Sequence, residues 1–245
     1  MLKRYVMVCG AALLLLPMAS QAEETAVTQE TTLNLGLVWT EGNSDTLKLN
    51  ASLLYEGKRE NLGSVRAGIE ANYGETKIDR ERERDTENVS GFFNARKTLT
   101  ERTFGSVSGS ALYDPVADIK YRFILSPAAG AILFKDERTE ISAELGPAYI
   151  WEKVDDITDD YPALRLAQRL DYRISDTARL WQQVEYIPEM DDFANYLLNS
   201  EIGISADLTA RTSLRLVLQS RYDNTPGDDA ERHDVTVISG ISLTL

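Results

Sequence analysis

Cysteine is nearly absent from this chain: Cys9 is the only one, and it lies in an apolar N-terminal stretch. Once that stretch is removed on export the mature chain has no thiol, which excludes disulfides, cysteine-ligated zinc and a cysteine nucleophile. Histidine is as scarce, with His233 alone, and general-base or nucleophilic chemistry leans on that residue type. Basic side chains are outnumbered, 26 Lys and Arg against 39 Asp and Glu, giving a formal charge of -13. Losing Lys3 and Arg4, with no acid before Glu23, takes this to -15, and so acidic an exported chain is a poor nucleic-acid binder. After the leader no window of about 18 uncharged apolar residues exists, so no membrane helix is expected. Glycine-rich phosphate loops, zinc-ligand spacings and Pro/Gly/Ser-rich linkers are missing too.

Met1 to Ala22 has the order of a secretory signal peptide: Lys3 and Arg4, an apolar run from Val6 to Leu16, then Ser20-Gln21-Ala22. Residues 23–30 read as a polar periplasmic lead-in, and residues 31–245 as one domain. The mean hydropathy of -0.28 suggests a soluble protein, yet it carries no weight if lipid-facing and lumen-facing residues alternate.

Alternation is what the chain has in abundance. From Leu33 to Tyr55, Leu33, Leu35, Leu37 and Trp39 alternate with Asn34, Gly36 and Val38. After a Gly42-Asn43 turn, Leu47, Leu49, Ala51, Leu53 and Tyr55 alternate with Lys48, Asn50 and Ser52. A period of two on both sides of a Gly-Asn turn predicts a β-hairpin. The same unit recurs to the final strand, where Val235, Val237, Ile241, Leu243 and Leu245 alternate with Asp234, Thr236, Gly240, Ser242 and Thr244. The expected fold is all-β: an up-and-down antiparallel transmembrane β-barrel of about twelve strands. Pro127 falls inside strand six and predicts a bulge or bend there.

Two asymmetries give the barrel a direction. Connections after odd strands, among them Glu75–Thr86 and Lys153–Tyr161, read as longer and acidic, whereas those after even strands read as short turns. Outer-membrane barrels have long extracellular loops and short periplasmic turns. Next to the odd-numbered loops fall Trp39, Tyr73, Tyr113, Tyr121, Tyr149, Trp151, Tyr186, Tyr196 and Tyr222, the composition of a membrane-interface girdle. Tyr55, Tyr172 and Phe104 mark a sparser girdle at the opposite ends.

The polar faces supply the lumen-lining candidates: Lys48, Arg66, Glu70, Arg96, Lys120, Arg122, Glu144, Arg165, Arg169, Glu201, Arg215 and Arg221. Over the polar faces as a whole, which add Arg173 to the bases and Glu56, Asp171 and Glu185 to the acids, bases outnumber acids ten to six, which predicts anion preference for a pore. No catalytic, cofactor or metal residues are expected. His233 beside Asp234 is the one place where a hydrolase site would have to form, and no serine follows it in a nucleophile context.

Gly42-Asn43-Ser44-Asp45, Tyr121-Arg122 after Asp118, Glu144 with Gly146 and Tyr149, Arg165, and Tyr186-Ile187-Pro188 followed by Asn195-Tyr196 carry a further signal. On these motifs the chain, from about Leu33 to its end, resembles the salt-induced outer-membrane protein family, a bacterial family of unknown function. The resemblance implies a barrel and an outer-membrane location, with no substrate and no catalytic residues. The expected role is a small passive pore or a salt-responsive envelope component. The alternatives are a structural or adhesive barrel with a closed lumen and a hydrolase using His233. Expected partners are outer-membrane lipid, lipopolysaccharide and the assembly machinery that reads the last strand; that strand ends in Leu245 where an aromatic is usual. A monomer is expected.

Overall fold

The computed structural model describes residues 27–40, 45–59, 62–78, 81–227 and 230–245, with backbone alone at 27, 28, 38–40, 45, 46, 77, 78 and 81–85. The segment read as a signal peptide, the Gly42-Asn43-Ser44 turn and the Trp39 side chain lie outside the described residues.

Twelve strands follow one another: β1 (Val27–Thr40), β2 (Asp45–Arg59), β3 (Gly63–Ile78), β4 (Glu81–Thr98), β5 (Thr103–Asp114) and β6 (Ile119–Lys135). Then come β7 (Thr139–Val154), β8 (Ile157–Arg173), β9 (Ala178–Pro188), β10 (Tyr196–Asp207), β11 (Thr212–Asp223) and β12 (His233–Thr244). Each pairs antiparallel with its sequence neighbour, and β1 pairs with β12, so the sheet closes and has no free edge. Closure is what lets a sheet stand in hydrocarbon, where an unpaired backbone group costs several kcal/mol. The closing ladder is the shortest, Thr32–Gly36 against Gly240–Thr244, extended by the Leu245 amide donating to Thr31 at 2.9 Å.

The alternation sorts side chains as a bilayer requires. Leu35, Ile69, Leu145, Leu166 and Val237 face outward and are 49–59% exposed, whereas Asn34, Ser106, Ser126, Glu144 and Arg165 face inward and are buried. A water-soluble barrel would have to invert this pattern. A small apolar cluster nevertheless sits inside, where Ala148, Ile150, Tyr161, Ala163, Ile187 and Leu197 pack with Ile124 along β6–β10. It fills one wall of the extracellular half of the lumen, as small barrels fill their interiors.

Three expectations are corrected. Two of the acidic loops are mostly strand: β3 and β4 pair out to Ile78↔Glu81, and β7 and β8 out to Val154↔Ile157. Charged residues cost nothing in a ladder that rises beyond the hydrocarbon into water, so the hairpins lengthen and the loops shrink. The β7–β8 connection is reduced to Asp155 and Asp156, at φ 47° and 66°. Aspartate tolerates this left-handed region, and two positive-φ residues form the tight turn whose twist suits a hairpin.

At Pro127 there is no bulge. The β6–β7 register runs to Leu125↔Tyr149 and resumes unshifted at Ala129↔Leu145, with Pro127 level with Pro147 in the gap. Two residues without amide hydrogens interrupt the ladder without displacing it, and the Ser126 hydroxyl donates to the Pro147 carbonyl at 2.8 Å. The register shifts of β6 lie instead near its ends, between Ile119 and Tyr121 and between Ile132 and Phe134.

Phe104 is the third correction. It faces the lumen and is buried, so it belongs to no periplasmic girdle.

Candidate functional site

The extracellular half of the lumen holds a cavity of about 310 Å³, reaching from the β11–β12 connection down to Arg66 and Phe92. Seven carboxylates and five arginines line it. Three of those arginines each stand between two acids. Arg122 pairs with Glu152 of neighbouring β7 and, across the lumen, with Asp223 of β11 at 2.8 Å. Arg221 lies within electrostatic reach of Asp114 and Asp234. Arg215 lies within reach of Glu201 and Glu70. The Gln219 amide donates to Glu201 at 3.1 Å and to Glu70 at 3.5 Å, drawing β10 and β11 toward β3. The cavity is therefore narrowed by groups that meet across it.

Beneath the cavity a three-residue unit occurs three times. Phe92 stands opposite Gly68, Phe104 opposite Gly130 and Trp181 opposite Gly203 in their ladders. Each ring lies flat over its glycine, so closely that a Cβ there would come within 2.0–2.7 Å of the ring. An arginine then covers each ring: Arg66 over Phe92 at 5.5 Å, Arg96 over Phe104 at 4.7 Å and Arg215 over Trp181 at 4.8 Å. Of these three arginines, Arg96 and Arg215 have an Nε–H without an acceptor, and the Nε of Arg66 stands 2.9 Å from Glu56. Their heads are held by the ring quadrupole, a contact worth about 0.5–2 kcal/mol.

The periplasmic half is tied by ion pairs centred on Glu144. Its carboxylate accepts from Arg165 at 3.0 Å and from the Ser106 hydroxyl at 2.9 Å, and pairs with Arg96 at 2.6 Å. Arg165 also pairs with Glu185, and Arg66 with Glu56 at 2.9 Å. Arg169 forks onto Asp171 through two bonds of 2.6 and 2.7 Å.

The structure thus brings Arg66, Glu70, Arg96, Arg122, Glu144, Arg165, Arg169, Glu201, Arg215 and Arg221 together on the interior. Lys48 stands exposed toward the extracellular end of β2. Lys120 is not part of the interior cluster: the shift at the start of β6 turns it to the rim, where it pairs with Asp156. That contact and Lys153 at 3.3 Å hold the Asp156 carboxyl below the usual aspartate range. Asp114, Asp223 and Asp234 line the cavity but were not among the sequence candidates: Asp114 and Asp223 read as loop, and Asp234 read as the first polar residue of the final strand, beside His233. Phe92 and Gln219 were missed because neither is charged.

Of the girdle residues, Tyr186, Tyr196 and Tyr222 form a row across β9–β11, with centroids 5.4 and 5.7 Å apart. Tyr149 and Trp151 pack with their rings tilted 47° and centroids 4.7 Å apart, and Tyr121 packs on Phe123 at 5.6 Å. Tyr73 and Tyr113 occupy outward positions near the same ends of β3 and β5. His233 continues the tyrosine row, 6.1 Å from Tyr222, and its Nε2 bonds the Ser220 hydroxyl at 2.8 Å. Asp234 is the next residue of the strand and so lines the cavity on the other side of the wall. Among the described residues no acid is hydrogen-bonded to the Ser220–His233 pair, and no group of metal-binding side chains occurs.

Solved structures share this architecture. A NanC porin aligns with TM-score 0.53 at 10% identity, over 88% of this chain and all of its own. The translocator domain of the autotransporter NalP from Neisseria meningitidis gives 0.45 at 12% identity, over 91% and 89% of the two chains. An anion-selective porin from Comamonas acidovorans gives 0.43 at 11%, over 91% and 100%. At such identities the likeness is one of fold, that of an outer-membrane barrel. No curated protein matches the sequence. The family model described as "Protein of unknown function, DUF481" matches residues 33–243, and the chain belongs to that family, the salt-induced outer-membrane proteins its motifs resemble.

Proposed function

We propose that this barrel is a small passive pore of the outer membrane, admitting small hydrophilic solutes. One observation carries the reading: the interior cavity of about 310 Å³ is walled by charged and hydrogen-bonding side chains. Its volume is at the lower end of the range of about 300–1,000 Å³ typical of small-molecule sites, so only small solutes fit. The outward tyrosines and Trp151 would sit at the lipid head groups, with lipopolysaccharide and the assembly machinery as the envelope partners, and the closed sheet would stand as a monomer. A salt-responsive role in the envelope fits a conduit of this size.

A second reading, a structural barrel with a closed lumen, is favoured by the bond from Arg122 to Asp223 across the interior. Single-channel recording in a planar bilayer separates the two. Discrete conductance steps from purified folded protein support the pore, and silence at all voltages supports the closed barrel. Among the described residues the hydrolase reading finds no acid hydrogen-bonded to His233, and no loss of lipid ester on incubation with vesicles would dispose of it.

A further inference from the structure

We infer that the cavity selects small cations, a conclusion that rests on the pore reading for its transport sense. Anion preference was the expectation from strand-centre residues, where arginine predominates. Closure of the barrel changes the balance, because it adds the strand-end acids Asp114, Asp223 and Asp234 to the same space.

The arrangement matters more than the number. An arginine attracts a passing anion only if its charge is not already neutralised. Arg122 is bonded to two carboxylates, Arg221 faces Asp114 and Asp234, and Arg215 faces Glu70 and Glu201. The first two groups each carry a net single negative charge, Glu201 of the third is also within reach of Arg66 and Arg169, and the lining as a whole has seven carboxylates against five arginines; the three groups lie at successive depths, from the mouth to the middle of the barrel. Arg215 is further tied to the face of Trp181 at 4.8 Å, which fixes its head.

Glu70 and Glu201 take their hydrogen bonds from neutral donors, and the arginines near them, Arg215 for both and Arg66 and Arg169 for Glu201, act on them only through space. Glu201 accepts from the Trp181 indole at 2.6 Å and from Gln219 at 3.1 Å; Glu70 accepts from Asn72 at 2.9 Å. Neutral donors orient a carboxylate without cancelling its charge, and a confined low-dielectric wall focuses the resulting field on whatever enters. Acid rings of this kind are how cation channels discriminate. The rim adds to the effect, since Asp155, Asp159 and Asp160 stand at the same mouth on the β7–β8 hairpin.

The test is the reversal potential of the purified barrel in a planar bilayer under a potassium chloride gradient, whose two ions have similar mobility. A potential of the sign for potassium permeation is expected. Glu70→Gln with Glu201→Gln, which keeps the size of each side chain and one of its two acceptor oxygens, is expected to move it toward zero, and Arg215→Gln to move it further from zero. A conducting barrel with chloride selectivity overturns the inference and leaves the pore standing, whereas a silent bilayer overturns the pore.

A second measurement needs no current. With Trp39→Phe and Trp151→Phe, Trp181 is the sole fluorophore beside Glu201, and caesium is expected to quench it more strongly than iodide. Iodide quenching at least as strong, or no difference between the two, overturns cation selection in the cavity.

Discussion

Arg215 on β11 lies over the indole of Trp181 on β9, 4.8 Å from its centroid, and the indole in turn lies on Gly203 of the intervening β10. Three strands are joined through one glycine. A Cβ at position 203 would come within 2.0 Å of the ring. Gly203→Ala is expected to displace the indole, loosen Arg215 and Glu201, and cost about 1–3 kcal/mol, the usual range for overpacking. Urea unfolding of the micelle-embedded barrel reads this. Gly105→Ala, where nothing lies within 4 Å, is expected to leave the midpoint unchanged.

Glu144 is 4% exposed and satisfies Arg96, Arg165 and Ser106 together. Glu144→Ala would leave two interior guanidinium groups short of a partner, a loss of about 3–5 kcal/mol. Glu144→Gln keeps the shape and is expected to lose less. Both are checked by the same unfolding midpoint.

The two faces of β10 make opposite predictions for one substitution. Ile202 points to lipid, and Ile202→Arg is expected to cost about 2–4 kcal/mol near the bilayer midplane. Asn199 lines the cavity, so Asn199→Arg places its charge in the aqueous interior and is expected to be milder. The yield of heat-modifiable folded barrel from lipid vesicles measures the difference.

Asp136 in the β6–β7 turn accepts the amides of Arg138 and Thr139 at 2.8 and 2.6 Å, which hold its carboxyl below the usual aspartate range. A group with a depressed folded value stabilises above its unfolded pKa and loses that contribution as pH falls through the folded one. The wild-type barrel is therefore expected to lose stability relative to Asp136→Asn on acidification below the ordinary aspartate pKa, and to regain it above. Unfolding midpoints of the two proteins across acidic pH give the comparison; a constant difference would show that the turn does not bind its proton differently when folded.

Most of the wall was legible because its rule is local. Leu164, Leu166 and Leu170 against Arg165 and Arg169 declare a strand and its two faces without any knowledge of its neighbours. Where the local rule misled, a neighbour had decided. Pro127 promised a bulge, yet Pro147 stands level with it and the register passes unshifted. The charged residues 75–86 read as a loop until pairing between β3 and β4 carried both strands outward. Phe104 read as an interface aromatic until Gly130 supplied a flat seat for it inside.

By itself, then, the sequence determined twelve strands, their order and the side of the wall most residues take, since a period of two needs only the backbone's own pleat. Only the tertiary structure decided what meets across the lumen. Arg122 and Asp223 are 101 residues apart and become partners when the barrel closes with its particular stagger. Closure and stagger are properties of all twelve ladders at once, so the charge balance of the interior could not be read from any one of them.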